Sequence, residues 1–364
     1  MRIRILMVLI LFSLPARAQT LPAEINDGYF WKLITDFSEP SGFFSSDNFV
    51  SNENTYQRVI PVLKATTPPD GVYIGVGPEQ NLTYISALRP RIAFIVDIRR
   101  QNMLQHLLYK ALFEMSDSRA DFLSLLFSRE RPTGLTTDAS VVQLIRAYEN
   151  TTKTWDNERY RRNLNAILDN LETRHHFELT EEDKRTIERV YHAFLDAGTG
   201  LSYSYHVPGV GATPTYLQLM SETDGQGQNW SYLATEDNFL RLKEMERRNL
   251  IIPVVGDFAG PKAILAVGRY IEQHRATVTA FYTSNVERYL FEESPKWSTF
   301  YTTVGKLPLD ANSTFIRAVL TPRPSNGRTS AIRTSTYLSK ILGTLKAYRE
   351  GQLTLYEQLT VFSQ

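Results

Sequence analysis

Gly75, Gly77 and Asp97 stand where a chain could hold a nucleoside. They fall within GVYIGVGPEQNLTYISALRPRIAFIVDIRR, which runs from Gly71 to Arg100. Glycines let backbone pass close to a ligand, and a carboxylate about 20 positions after a glycine turn can accept hydrogen bonds from ribose hydroxyls. Asp97 follows Gly77 by 20 positions. Val76 lies between the glycines, and Glu79 and Gln80 follow Pro78. The competing reading is a purely structural turn, with Asp97 capping the next helix. Two further apolar runs also end in residues able to do chemistry: Asp257 in GDFAGP, and Tyr282 and Asn285 in YTSN.

The type of nucleoside follows from Glu79 and Gln80. A dinucleotide site sets its diphosphate on the helix N-terminus and keeps the third position of G-x-G-x-x-G small. Gln80 occupies that position here, and Glu79 lies in the first turn. A carboxylate there gains from the helix dipole but repels a diphosphate. A ligand with an adenosine and a cationic sulfonium suits the turn better.

These residues need a sheet to bring them together. Val72–Val76, Ile92–Val96, Leu250–Val255 and Thr277–Thr283 are continuous apolar runs, each followed by a turn and a helical pattern. Such runs are buried on both faces, and their alternation with helices predicts a mostly parallel, doubly wound α/β sheet of Rossmann-like type. Ser298–Val304 and Thr314–Leu320 have strand composition around a Pro/Asp/Asn turn and predict a late antiparallel hairpin. Thr334–Arg349 reads as a closing helix. Met103, Leu107, Ala111 and Met115 recur at helical spacing after Asp97. Amphipathic segments near Val141–Tyr148, Tyr160–Leu171 and Glu181–Leu195 predict a helical insertion spanning about 116–235. The expected organisation is a leader (1–18), an N-terminal extension (19–70), the sheet domain (71–328) and a C-terminal helix (329–364).

With these motifs placed, the chain resembles a class I S-adenosylmethionine-dependent methyltransferase, closest to an uncharacterised bacterial group. VYIGVGPEQ is similar to that superfamily's glycine-rich motif and AFIVDIRR to its acidic second-strand motif; PVVGDFAGP and SNVE complete the set. The resemblance implies a seven-strand sheet and S-adenosylmethionine as cofactor, with Gly75 and Gly77 at its amino-acid end and Asp97 on its ribose. It also implies Asp257 facing the transferred methyl, with Asn285 and Tyr282 positioning a small-molecule acceptor. Tyr73 stands where the superfamily often has an acidic residue, and GDFAGP is not the motif of its amino-methylating members. The alternative is a non-catalytic exported binding or scaffold protein that retains the fold. Ser46, Asp47, Asn48, Asn52 and Glu53 crowd one loop, which reads either as turn and cap residues or as a segment folding over the pocket.

The rest of the sequence narrows the class. With 364 residues, 42% hydrophobic, and 40 basic against 39 acidic side chains, the chain can bury a large core and lacks the charge excess of a nucleic-acid binder. Arg2 and Arg4, the apolar run Ile5–Leu14 and Ala16-Arg17-Ala18 match the three parts of a secretory signal. The run is too short to span a bilayer, which takes about 20 apolar residues. Periplasmic or secreted protein beginning near Gln19, without stable membrane insertion, is expected. The absence of cysteine removes thiol nucleophiles and Cys-ligated zinc. No G-x-S-x-G, HExxH, P-loop or EF-hand string is present. His175 and His176 are adjacent on a helix, point about 100° apart and have no nearby sequence partner, so no metal is expected. HVPGVGATP, His206–Pro214, repeats the GVG string but reads as a loop.

Overall fold

The computed structural model describes residues 20–149, 156–205, 213–322 and 332–361. The leader Met1–Ala18 and most of the loop His206–Pro214 lie outside the described residues. Six strands form one sheet in the order β3-β2-β1-β4-β5-β6. They are β1 (Val72–Gly75), β2 (Ile92–Asp97), β3 (Ile251–Val255), β4 (Val278–Ser284), β5 (Thr314–Pro322) and β6 (Ile332–Lys340). The first five pair in parallel and β6 runs antiparallel to β5. This is a doubly wound, Rossmann-like α/β order, with six strands among the described residues where the resemblance implies seven.

Four apolar runs became β1 to β4, from the β3 edge to the middle of the sheet, because nothing in them offers a polar face. Every residue of β1, β2 and β3 is buried, as is β4 up to Thr283. Helices on both sheet faces cover them, as two-sided burial requires. Gln80–Leu88 follows β1, Arg100–Met115 follows β2, Ala263–Gln273 follows β3 and Val286–Glu292 follows β4. The insertion between β2 and β3 is helical, with Arg119–Leu126, Val141–Glu149, Asn157–Asp169, Glu181–Ala197 and Tyr216–Ser221. Thr180 starts the longest of these with a reciprocal cap to Asp183. No helix among the described residues is long and apolar enough to cross a membrane.

The late hairpin is present, but one element further on than predicted. Ser298–Val304 lies within a helix, Lys296–Val304. Its β-branched and aromatic composition conceals helical spacing: Trp297, Phe300, Tyr301 and Val304 fall at i, i+3, i+4 and i+7 and pack inward. The second arm of the hairpin is β6, in the segment expected to be all helix; the helix starts only at Ile341. Arg317 faces Tyr337 and Phe315 faces Ser339 across the pair. Pairing with β5 decides the outcome over the local pattern, as is usual for an edge strand.

Candidate functional site

Strand order reverses between β1 and β4, where open α/β sheets bind ligands beyond the carboxyl ends of their strands. A cleft lies there, with about 850 Å³ of free space including its mouth. Val76 and Gly77 line it after β1, Asp97 to Arg99 at the end of β2, Gly256 to Phe258 after β3, and Ser284 and Asn285 at the end of β4. Phe43, Phe44 and Asn48 close it from the N-terminal segment, and Tyr289, Leu290, Glu293 and Lys296 from the far side. Of the residues singled out in the sequence, Asn48, Val76, Gly77, Gln80, Asp97, Asp257 and Asn285 share this cleft. Gly75, Glu79 and Tyr282 sit behind it.

The glycine turn is locked by a side chain that the two-glycine pattern does not reveal. Asn81 Nδ2 donates to the carbonyls of Val76 (2.9 Å), Gly77 (3.1 Å) and Pro78 (2.8 Å). Its Oδ1 accepts from the Tyr73 hydroxyl at 2.8 Å, which gives this tyrosine a structural reason to stand in β1. A Cβ on Gly75 would come within 2.0 Å of Asn81 Oδ1, so Gly75 makes room for the brace. Gly77 differs: its φ of +78° is in the left-handed region, and a Cβ there would meet nothing closer than Gln80 Nε2 at 3.4 Å. His106 supports the same turn through Nε2, 2.9 Å from the Gly77 carbonyl. A carbonyl only accepts, so Nε2 carries the proton. Burial lowers this imidazole to about 4, so it is neutral at pH 7.

Glu79 is fully buried and its Oε1 accepts from the Ser51 amide. Burial pushes its carboxyl up to about 8, making it a neutral acid at pH 7. Charge repulsion is therefore not what separates this turn from a diphosphate site. The steric half of the argument survives, since the Gln80 side chain lies beside Gly77 with Oε1 buried and unpartnered.

Asp97 is 4% exposed and held by a neighbour two residues on. Arg99 donates Nε to Oδ1 and Nη2 to Oδ2, both at 2.9 Å, and its backbone N–H also reaches Oδ1. A carboxylate has about four acceptor positions, and three are filled. Arg99 Nη1 continues to the carbonyls of Ser46 (3.0 Å) and Asp47 (2.7 Å), tying the N-terminal segment over the cleft. Glu39, from the same segment, receives the backbone N–H groups of Asp257, Lys262 and Ala263. Asp257 Oδ1 accepts from Ala259 N, and Oδ2 lies 3.5 Å from Lys296 Nζ.

Behind β4 sits a carboxylate that spacing could not assign. Glu53 is 1% exposed and receives hydrogen bonds from Tyr282 (2.8 Å) and Ser284 on the same oxygen. Gln80 Nε2 in turn donates to Tyr282 at 2.8 Å. Burial, partly offset by those hydroxyls, pushes Glu53 up to about 7. Tyr282 therefore supports the cleft from behind, and Ser284 is the hydroxyl that faces it.

His175 does find partners, from distant chain: Asp27 Oδ1 at 2.8 Å from Nδ1 and Glu114 Oε2 at 2.7 Å from Nε2. Burial opposes ionisation of Glu114, but bonding by His175 and the Lys110 charge hold it down at about 2. This is a hydrogen-bonded staple between helices, and no group of three or more potential ligands is placed to hold a metal among the described residues.

Sheet order, the cleft at the reversal and its glycine turn define a Rossmann-like α/β protein with a small-molecule-sized site. Residues 48–336 match the family described as domain of unknown function DUF7790, and the chain belongs to it. No match to a curated protein was found. The matched region starts within the segment that closes the cleft and ends within β6.

Proposed function

We propose that the cleft binds a nucleoside-type ligand without a diphosphate, S-adenosylmethionine by the likeness of its motifs, and serves methyl transfer to a small molecule. The convergence of Gly77, Asp97, Asp257 and Asn285 in one cleft at the strand-order reversal carries this reading. The residues present fit such a group. Gly77 leaves the turn bare, Asp97 keeps one acceptor position toward a ribose hydroxyl, Gln80 offers an unpartnered carbonyl oxygen, and Val76, Ile98 and Phe258 supply apolar wall. When bound, the cofactor supplies a methyl group on a sulfonium. Asp257 and Asn285 would orient the acceptor, a task that rests on geometry more than on strong acids or bases.

One observation favours the non-catalytic alternative: Arg99 fills most of the Asp97 carboxylate that would grip the ribose. Calorimetry with S-adenosylmethionine and S-adenosylhomocysteine decides between them. Micromolar to millimolar binding is expected for wild type, with at least a tenfold loss in Gly77→Val, where a branched side chain enters the cleft from a left-handed backbone. Absence of binding by folded wild type at millimolar ligand removes the enzyme reading. We further propose a periplasmic or secreted location through the Met1–Ala18 leader and no nucleic-acid partner. N-terminal sequencing of native protein tests the export claim, and an intact Met1 overturns it.

A further inference from the structure

Ser284 is the only residue of β4 with a left-handed backbone, φ 52°, and it stands where the β4–β5 register shifts. A non-glycine residue so placed is strained, and such sites are common where a side chain must be aimed. Its hydroxyl is aimed in two directions. It donates a hydrogen bond to Glu53 behind the sheet, while the residue itself lines the cleft. A hydroxyl has one proton to give and two lone pairs to receive. Asn285 Oδ1, 3.3 Å away, is a second and more distant acceptor for that proton; while Glu53 holds it, Ser284 meets a cleft ligand as an acceptor, so the ligand group opposite it is an O–H or N–H.

Among the described residues Glu53, like Glu79 and Glu39, has no cation, but it alone of the three receives the Ser284 hydroxyl. Asp97 is paired with Arg99, and Asp257 and Glu293 share Lys296. No ion pair reaches Glu53 among the described residues; its neighbours are the hydroxyls of Tyr282 and Ser284, with Tyr73, Tyr84 and Tyr356 further off, and its Oε2 is buried and unpartnered. Paired carboxylates are poor proton acceptors, because protonation forfeits the pairing; an unpaired buried one accepts readily. The mouth of the cleft is aromatic and apolar. Phe43 is 86% exposed at the rim, Phe44 meets Tyr289 edge-on at 5.4 Å, and Leu290 and Phe258 continue inward.

We infer that Ser284 and Glu53 form a proton-accepting pair for a small aromatic substrate bearing an ionisable hydroxyl, whose ring lies against the aromatic mouth. This rests on the reading of the cleft as an acceptor site. In the step, the substrate O–H breaks and its electron pair stays on oxygen. The proton passes to Ser284 Oγ as the serine proton passes to Glu53 Oε1. The products are a phenolate and a neutral carboxylic acid, with total charge unchanged. Ser284 touches the substrate, and Glu53 acts through it.

The test uses 4-nitrophenol as probe and calorimetry in buffers of different ionisation enthalpy at about pH 8.5, where the probe and Glu53 are both mostly ionised. Bringing the two anions onto one hydroxyl draws in a proton, so wild type is expected to take up about one proton per probe bound. Glu53→Gln keeps the shape and should bind the probe with no uptake; Ser284→Ala should weaken binding about tenfold or more and lose the uptake. Circular dichroism confirms that each variant is folded. Binding without uptake in wild type, uptake retained in Glu53→Gln, or no binding by folded wild type overturns the inference. Uptake that vanishes in a folded, probe-binding Glu53→Gln is not what a merely structural glutamate gives. S-Adenosylmethionine binding is measured in parallel. If it binds while the probe does not, this inference falls and the cofactor reading stands. Proton-coupled probe binding without cofactor binding supports the pair and removes the cofactor.

Discussion

Asn81 holds the turn on which the whole cleft depends, and its replacement gives a test with a built-in control. Among the described residues, Asn81→Ala takes the only partner of the Val76 carbonyl and of the Tyr73 hydroxyl. The Gly77 carbonyl keeps His106, and the Pro78 carbonyl keeps a long 3.5 Å contact with the backbone N–H of residue 81. Two buried groups are therefore orphaned, each costing about 1–3 kcal/mol, so a loss of about 2–6 kcal/mol is expected. Against a total stability of about 5–15 kcal/mol that is a large fraction. Asn81→Asp supplies the control. It changes no volume and still accepts from Tyr73, but sets an oxygen against three carbonyls that now receive an N–H at 2.8–3.1 Å. It should be at least as destabilising as alanine. Urea unfolding followed by circular dichroism, with linear extrapolation, measures both. An aspartate variant within about 1 kcal/mol of wild type would refute the assignment of donor and acceptors, and with it the claim that Gly75 exists to admit Asn81.

Arg99→Leu should cost about 3–5 kcal/mol by leaving Asp97 buried without its cation, and the added change Asp97→Asn should recover part of that loss. Limited proteolysis near residues 43–48 should accelerate in the single variant, because Arg99 also holds the Ser46 and Asp47 carbonyls; unchanged cleavage would count against the tie. Stability should also fall with rising pH. Glu53, Glu79 and Glu246 are buried with carboxyls raised to about 7, 8 and 8, so the folded state binds more protons than the unfolded chain between about pH 4.5 and 8. Their contribution is present below the unfolded carboxylate pKa and is lost as pH rises through the folded values. Glu114, held at about 2, works the other way and is lost only in acid. Urea midpoints should thus be higher near pH 5 than near pH 9, with a shallower slope in Glu246→Gln; a midpoint that rises across this range would contradict the burial of neutral carboxyls.

What could be read from the sequence follows from the range of the interactions involved. Strands β1 to β4 were legible because burial on both faces leaves an apolar run no neighbour can disguise. Convergence of Gly77, Asp97, Asp257 and Asn285 was legible because parallel strands in a doubly wound sheet put their carboxyl ends on one edge. The segments 298–304 and 334–340 were misread for opposite reasons: one has strand composition at helical spacing, and the other is a strand only because β5 pairs with it. Asn81 lay four positions after Gly77 in plain view, but the pattern for a ligand turn asks about glycines and not about the side chain that ties off their carbonyls. Arg99 was equally visible beside Asp97, yet whether it turns back to the carboxylate or out to solvent depends on the Ser46 and Asp47 carbonyls some fifty residues away. Glu79 was read as an anion because a sequence carries no burial, and burial is what makes it neutral.

The segment between residues 38 and 54 turns a sheet edge into a site. An open α/β sheet presents its strand ends to water, where a carboxylate such as Asp97 would be hydrated and a hydroxyl such as Ser284 would exchange partners freely. Here Glu39 closes the loop after β3, the Ser46 and Asp47 carbonyls fix Arg99 on Asp97, Ser51 holds Glu79, and Glu53 accepts a hydrogen bond from Ser284. Each of these contacts joins the segment to a different strand end, so its position and the geometry of the cleft are set together. A polar-rich loop that would otherwise stay solvated is ordered because its carboxylates and carbonyls answer donors that the sheet leaves exposed, as buried polar groups must. The same contacts explain why the chemistry was only half visible beforehand. The strand units supply the glycine, the aspartates and the asparagine, while the groups that decide what those residues can do come from chain that carries no strand or helix of its own.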